Sequence, residues 1–454
     1  GVCHGLQRCF LKGNRYDMAL DFLILYEHVV REYESITLLK AELEKRGYSV
    51  DIRQLLDRKK LSYFTYNKPK VLVASAMYDD KTMNSFVYNN VGVCNKVVNL
   101  HWEQVLSEEQ ENSPFFNCGQ SASYALHTCW GQEARDRIVK YGVPPENAVI
   151  TGPIQMDFLR KQFQGYYKSK EELCREFSLN NNKELVLYIS SFSTAYMSDE
   201  EVAELNNLAG VGFERFKLTS QKTMNTTLSW VDEYLNTPQG ENIEFVYRRH
   251  PSEWNSPILE EMAKKHKNFH LISEYSVKQW ISASDTIFTW MSTSIAEIYF
   301  AHKSCFVLRP YPIEWEYDPV IYKDCHSLTS YDEFAKAFEI KNPKFPIDEA
   351  LMLRHYDFTH QPSYIRISDV LEDVLLDKSD KRKPFEHFKP SFSWLKCVSL
   401  IGLHGMYAIG LDPAKLKIFG PLSSWAGRIY GHIKNTRVSK AQAKEYSDKI
   451  KKYI

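Results

Sequence analysis

From Asp21 onward, short apolar runs alternate with stretches of helical periodicity. The run DFLILY (Asp21–Tyr26) leads into REYESITLLKAELEKRG, where Ile36, Leu38, Leu39 and Leu43 recur at helical spacing and Gly47 supplies a stop. YSVDI, KVLVASA, KVVNL, YALHTCW and NAVITG follow as further apolar runs, separated by polar or helix-like stretches such as QEARDRIVKYG. The rhythm pauses after Gly152, where MDFLRKQFQGYYKSKEELCREFSL reads as helix and linker. It resumes with ELVLYISS, IEFVYRRH, NFHLIS, DTIFTWMS and KSCFVLRP, and helices are expected at MNTTLSWVDEYLN, SPILEEMAKKHK, VKQWISAS and SIAEIYFAH. Strand, helix, strand, helix predicts an α/β protein with parallel sheets covered by helices on both faces. The pattern divides the chain into a Rossmann-like unit over residues 1–165, a second over 166–376, and a helical tail over 377–454.

Length agrees with that division, since 454 residues at about 150 per domain make two domains and an extension. The 57 basic and 57 acidic residues cancel, so no global field draws the protein to nucleic acid. Nine cysteines lie scattered and never at CxxC spacing, which indicates neither a zinc site nor a disulfide framework and fits a reducing cytoplasm. The opening residues lack the charged-then-apolar pattern of a leader. The longest apolar run, CVSLIGLHGMYAIGL (Cys397–Leu411), falls short of the roughly 20 residues that span a bilayer. Just before it, Lys378, Lys381, Arg382 and Lys383 stand beside Phe385, Phe388, Phe392 and Trp394. Basic residues among aromatics suit an anionic membrane, so residues 378–411 are either a peripheral membrane contact or a segment packing back on the first unit.

Ligands of open parallel sheets sit at the carboxyl ends of the strands. Three polar clusters occupy such ends in the second unit. SSFSTAY, with Ser191 and Ser193, is a hydroxyl-rich turn that suits a phosphate or a sugar and equally an ordinary helix cap. Arg248, Arg249, His250, Pro251, Ser252 and Glu253 close the strand IEFVYR; arginine grips oxyanions in bidentate fashion, histidine bonds a phosphate, and proline fixes the corner after it. Ser292, Thr293 and Ser294 follow DTIFTW, with Glu297 at the spacing of a capping box.

RRHPSE followed by WISASDTIFTWMSTSIAEIYFAHKSCFVL resembles the carboxyl-terminal half of GT-B glycosyltransferases, and more narrowly a bacterial surface-polysaccharide biosynthesis family. YEHVVREYESITLLKAELEKRGYSV and WGQEARDRIVKYGVPPENAVITGPIQMDFLR are similar to that family's earlier segments, in the same order. The resemblance implies a GT-B fold, two Rossmann-like domains facing a cleft, with the activated sugar on the second. The His-Pro and Ser/Thr elements are shared with transferases of sialic acid, Kdo and CDP-polyols. This implies a cytidine nucleotide held by His250 and Pro251, with Ser292, Thr293 and Ser294 at its phosphate. Trp290-Met291 stands where the family usually has Asn or Asp.

Transfer to a hydroxyl needs a general base. In the first unit Glu103 in LHWEQ and Glu27 after FLILY are the expected catalytic carboxylates, with Asp79-Asp80 a weaker pair. No metal or cofactor is expected, because GT-B enzymes offset leaving-phosphate charge with basic residues and amides, here Arg248, Arg249 and Arg309. The expected function is transfer of a sugar, foremost Kdo or a related ulosonic acid from a CMP donor, onto a free or lipid-linked glycan in lipopolysaccharide or capsule assembly, at the inner face of the cytoplasmic membrane. The alternatives are a CDP-polyol phosphate transferase, a UDP-sugar epimerase and a non-catalytic glycan-binding protein.

Overall fold

The computed structural model describes residues 20–55, 69–77, 96–112, 125–209, 212–251, 253, 256–378, 394–413 and 423–454. Strands β1 (Phe22–Tyr26), β2 (Val50–Gln54), β3 (Val71–Ala74), β4 (Val97–Asn99), β5 (Leu126–Cys129) and β6 (Ala148–Ile150) make one parallel sheet in the order β2-β1-β3-β4-β5-β6. Strands β7 (Glu184–Ile189), β8 (Ile243–Arg248), β9 (Phe269–Leu271), β10 (Thr286–Thr289), β11 (Ser304–Leu308) and β12 (Ser327–Leu328) make a second, ordered β12-β11-β10-β7-β8-β9. Every residue of β1, β3 and β8 is buried, as expected when helices cover both faces of a parallel sheet. Eleven of these strands fall on the runs read from the sequence; β12 has only two residues and leaves no periodic signal.

Order reverses between β1 and β3 in the first sheet and between β7 and β10 in the second, so each has a switch point where successive loops part. Register makes the second one level. Ile189 pairs with Arg248 on one side and with Thr289 on the other, so the residues that leave β7, β8 and β10 emerge at one height.

Two helices depart from the expected pattern. The helix Phe213–Leu235 begins eleven residues before MNTTLSWVDEYLN, because its inward face there is mostly polar: beside the buried Phe216, Ser220 and Thr223 are fully buried. The helix Ile295–Phe300 starts without the expected capping box; Ser294 makes no side-chain cap, and Ser292 Oγ accepts from the Ser294 amide at 3.2 Å instead.

The helix Ser363–Leu375, at the end of the span read as the second unit, packs beneath the first sheet. Its Tyr364, Ile367, Leu371 and Val374 join Phe22, Ile36 and Leu39 in one core, to which Ile450 of the tail belongs too. The chain therefore crosses twice, outward after β6 and back before Ser363. Asp157, fully buried, fastens the crossings together: its carboxylate accepts from the Ser363 and Tyr364 amides at 3.0 and 2.7 Å and from Arg160 at 2.7 Å. That arrangement accounts for the segment TGPIQMD (Thr151–Asp157). At Gly152, φ is +75°, and a Cβ would collide with the Asp357 carbonyl oxygen and Ser363 Oγ. Gly152→Ala is expected to cost about 2–3 kcal/mol, measured by urea unfolding, from strain and overpacking together.

Candidate active site

The carboxyl edges of the two sheets face each other across a cleft of about 1150 Å³. From the second sheet it is lined by Ser190 after β7, by Arg248, Arg249, His250, Pro251 and Glu253 after β8, and by Ser292, Thr293, Ser294 and Glu297 after β10. His28, Arg31, Trp102 and Glu103 line it from the first domain, and His432, Asn435 and Thr436 from the tail helix Ser423–Thr436. His250 and Ser292, 42 positions apart in the chain, thus share one hollow.

The β8 corner divides its labour. Arg248 is 9% exposed, and its guanidinium donates to the Glu274 carbonyl at 2.9 Å and to that of Tyr275, so it fixes the next loop; burial draws its pKa down to about 10. Glu253 accepts from Ser190 Oγ at 2.5 Å and from the Phe192 amide at 2.7 Å, and Tyr247 Oη donates to the same Ser190 at 2.9 Å. It therefore ties the β7 and β8 loops together, and burial raises its carboxyl above the ordinary range. Arg249 is half-buried and His250 exposed to the cleft, where partial burial lowers the imidazole below its usual 6.5. Ser252 lies outside the described residues, as do Asp79 and Asp80.

Three expected contributors from the second domain are placed elsewhere. Ser191 and Ser193 do not line the cleft; their neighbour Ser190 does, because the ladder runs one residue past β7 through its amide to the Arg248 carbonyl. Arg309 is held by Asp318 through two bonds of 2.7 Å and lies over the Tyr322 ring. It has no place in the cleft lining.

In the first domain, His101 adopts a left-handed backbone (φ +52°), and Asn99 Oδ1 accepts its amide at 3.1 Å. The chain reverses there, burying Trp102 and leaving Glu103 exposed in the cleft. Glu103 is not free, since Arg31 donates to it at 2.9 Å while also pairing with the buried Glu32 at 2.9 Å. Burial raises the Glu32 carboxyl to about 7. Glu27 does not line the cleft; its carboxylate stands 3.7 Å from His28 Nε2. His28 takes the position expected of Glu27, at the carboxyl end of β1. Burial and the nearby Arg31 and His432 lower its imidazole, and Glu27 acts in the opposite direction. The His28 and His432 rings meet edge to face at 6.0 Å, and Gln54 Nε2 contacts His432 Nε2 at 3.1 Å.

Buried pairs hold the walls at this spacing. Lys278, 6% exposed, bridges from the second domain to Glu34 of the first at 2.9 Å, and Tyr167 Oη donates to the same carboxylate at 3.0 Å. Beyond Leu106 the Val320 amide donates to its carbonyl at 2.9 Å. His28 was legible beside Glu27 in the sequence. Glu297, by contrast, was hidden behind the spacing of a cap, and nothing local announced His432.

No protein-family model and no curated protein sequence matches the chain. Among solved structures, it is similar to a variant of the wall teichoic acid polymerase TagF, with 12% identity, 79% of this chain and 90% of that one covered, and a TM-score of 0.53. A second TagF structure, soaked with CDPG, gives 10% identity, 79% and 89% coverage and a TM-score of 0.51. A putative UDP-N-acetylglucosamine 2-epimerase from Listeria monocytogenes gives 15% identity, 81% and 100% coverage and a TM-score of 0.48. Two parallel six-stranded sheets facing a cleft, with the likeness to the two TagF structures, define a GT-B fold.

Proposed function

We propose that the protein is a GT-B glycosyltransferase, independent of metal, that moves a sugar from a nucleotide donor onto a glycan hydroxyl. One observation carries the reading: three polar strand ends of the second sheet meet in a single cleft, opposite a histidine at the switch point of the first. A donor laid on the second sheet sets its phosphates among Arg249, His250 and the hydroxyls of Ser292 and Ser294. Glu297, its carboxyl raised by burial, lies one helical turn beyond and suits the ribose hydroxyls. As the bond from the anomeric carbon to the phosphate oxygen breaks, negative charge grows on the leaving nucleotide, and Arg249 and His250 stabilise it. His28, neutral at pH 7, takes the proton of the attacking acceptor hydroxyl, with Glu27 behind it.

Within this reading the preferred donor is a CMP-linked ulosonic acid such as Kdo, on the strength of the His-Pro and Ser/Thr elements. A second reading, phosphate-carrying polyol transfer from a CDP-polyol, is favoured by the likeness to TagF, one structure of which was soaked with CDPG. A thermal-shift panel of CMP, CDP, UDP and GDP tests both. Saturation at about 100 times Kd adds about 2.7 kcal/mol and is expected to raise the midpoint by several degrees for at least one nucleotide. No response to any of the four ends the proposal. Product mass then separates sugar from polyol phosphate, donor turnover without acceptor assigns an epimerase, and oligosaccharide binding without nucleotide assigns a lectin-like protein.

A further inference from the structure

Arg309, directly after β11, has no place in the cleft lining, yet it and its neighbours grip the loop that follows β10. Tyr322, 1% exposed, donates its hydroxyl to the Ser292 carbonyl at 2.6 Å, and that oxygen also accepts from the Ile295 amide at 3.1 Å. Arg309 Nε donates to the Trp290 carbonyl at 3.4 Å, and the guanidinium lies 4.8 Å from the centre of the Tyr322 ring. Two carbonyls of one three-residue stretch are held from the same support. Asp318 sets that support, because its two bonds of 2.7 Å leave the guanidinium a single orientation. The Trp290 ring is fixed as well, stacked on Phe192 at 4.9 Å and on Phe216 at 5.7 Å. Ser292, on the cleft wall, therefore stands where Tyr322 holds it.

The same segment reaches the first domain. Pro319 bridges antiparallel to Ser107, and the Val320 amide donates to the Leu106 carbonyl at 2.9 Å. From Val320 to Tyr322 the chain makes a single tight turn, closed by the Tyr322 amide on the Pro319 carbonyl at 2.8 Å. A turn this short has little room to bend between its ends, so a displacement at Ser292 is passed on to Leu106. Leu106 ends the loop that carries Trp102 and Glu103. Within that loop Gln104 Nε2 donates to the His101 and Thr128 carbonyls at 2.8 and 2.9 Å, which keeps the loop in one shape. Pro319, Val320 and Tyr322 do not line the cleft, so they act on a ligand only through these bonds.

We propose that the segment Asp318–Tyr322 is a strut that couples the Ser292 loop to the Glu103 loop, with Tyr322 as the positioning residue for Ser292. Naming those loops the donor side and the acceptor side rests on the transferase reading; the coupling itself does not. A donor that seats its phosphate on Ser292 draws on Tyr322, and the strut then steadies Leu106 and the loop that faces the acceptor. By linkage, whatever steadies the Glu103 loop tightens donor binding by the same factor.

Hydrogen exchange of the free full chain, read by mass spectrometry, tests the coupling without a ligand. Tyr322→Phe keeps the buried ring and deletes one hydroxyl. It is expected to speed exchange over residues 290–296 and also, by about threefold to tenfold, over residues 104–110. Faster exchange near Ser292 alone would make Tyr322 a local support and overturn the proposal, as would no change in either segment. Val320→Pro cuts the other end, since the φ of such a turn suits proline and the N–H bonded to Leu106 is lost. Titration calorimetry well below the melting midpoint, with the nucleotide of largest thermal shift, then reads affinity. Tyr322→Phe is expected to weaken it about threefold to tenfold and Val320→Pro about twofold to fivefold, which a loss of stability alone would not do. If Val320→Pro does not fold, Tyr322→Phe decides alone. Unchanged affinity in the folded variants overturns the strut and spares the transferase reading. Wild-type protein that binds no nucleotide but shows the coupled exchange ends the transferase reading and leaves the strut standing.

Discussion

Replacing His250 with alanine is expected to weaken nucleotide binding about tenfold to a hundredfold, as read by titration calorimetry, and to leave the free protein's melting midpoint close to that of the wild type. The magnitude is that of one hydrogen bond to a charged phosphate, about 1.5–3 kcal/mol. Stability is spared because His250 is exposed at the cleft wall and other groups build the corner it stands on. Arg248 anchors the Glu274–Tyr275 loop, and Glu253 holds Ser190 and Phe192. Glu253→Ala is therefore the contrasting variant, expected to lower the melting midpoint as well as affinity, because it frees a buried hydroxyl and a buried amide at once. The imidazole also gives the binding a pH signature. Burial holds its pKa below 6.5 in the free protein, and a bound phosphate raises it. Nucleotide affinity is thus expected to strengthen as pH falls from about 8 to 6, with uptake of a proton that His250→Ala abolishes. Unaltered affinity in His250→Ala would place the nucleotide away from the β8 corner and remove the basis of the transferase reading.

The fold was legible because its strands are buried on both faces. A run such as ELVLYI cannot hide its apolar character, and its following turn lies next to it in the chain. For the same reason the second-sheet half of the site could be read: Arg249, His250 and Ser292 follow directly on strands, and the register of β7, β8 and β10 then brings them level. The spacing of Ser294 and Glu297 misled, because Ser292 took over the turn and left Glu297 to the cleft. The first-domain half depends on contacts that no local pattern encodes. Glu103 looked like a free carboxylate, yet its ion-pair partner Arg31 lies 72 positions earlier. Likewise His432 reaches His28 only because the tail folds back, fixed in part by Tyr26 Oη donating to the Thr436 carbonyl at 3.0 Å. The same long-range packing explains Trp130-Gly131. Gly131 lies where a Cβ would strike the His355 backbone, so the glycine serves the returning crossing and not a ligand.

His28→Gln is expected to lower kcat about a hundredfold to ten-thousandfold with little change in donor KM, the range for losing a positioned general base. Two carboxylates compete for that role, and the geometry ranks them lower. Glu103 is engaged by Arg31 at 2.9 Å, so its carboxylate is already committed to an ion pair, and Glu27 stands outside the cleft lining. An imidazole whose pKa is pushed below 6.5 by burial and neighbouring positive charge is unprotonated at neutral pH, as a base must be. The sign follows directly. Activity is retained above the lowered pKa and falls as acid protonates His28, so the acidic limb of kcat/KM lies below pH 6.5 and disappears in His28→Gln. Glu27→Gln removes the carboxylate that favours imidazolium and is expected to move that limb to still lower pH, with a smaller loss of kcat. Glu103→Gln breaks an exposed pair worth at most about 1 kcal/mol and is expected to cost less than about tenfold. The reverse pattern, with Glu103→Gln inactive and His28→Gln near wild type, would return the proton to the carboxylate and make the pair with Arg31 a switch that opens when the acceptor binds.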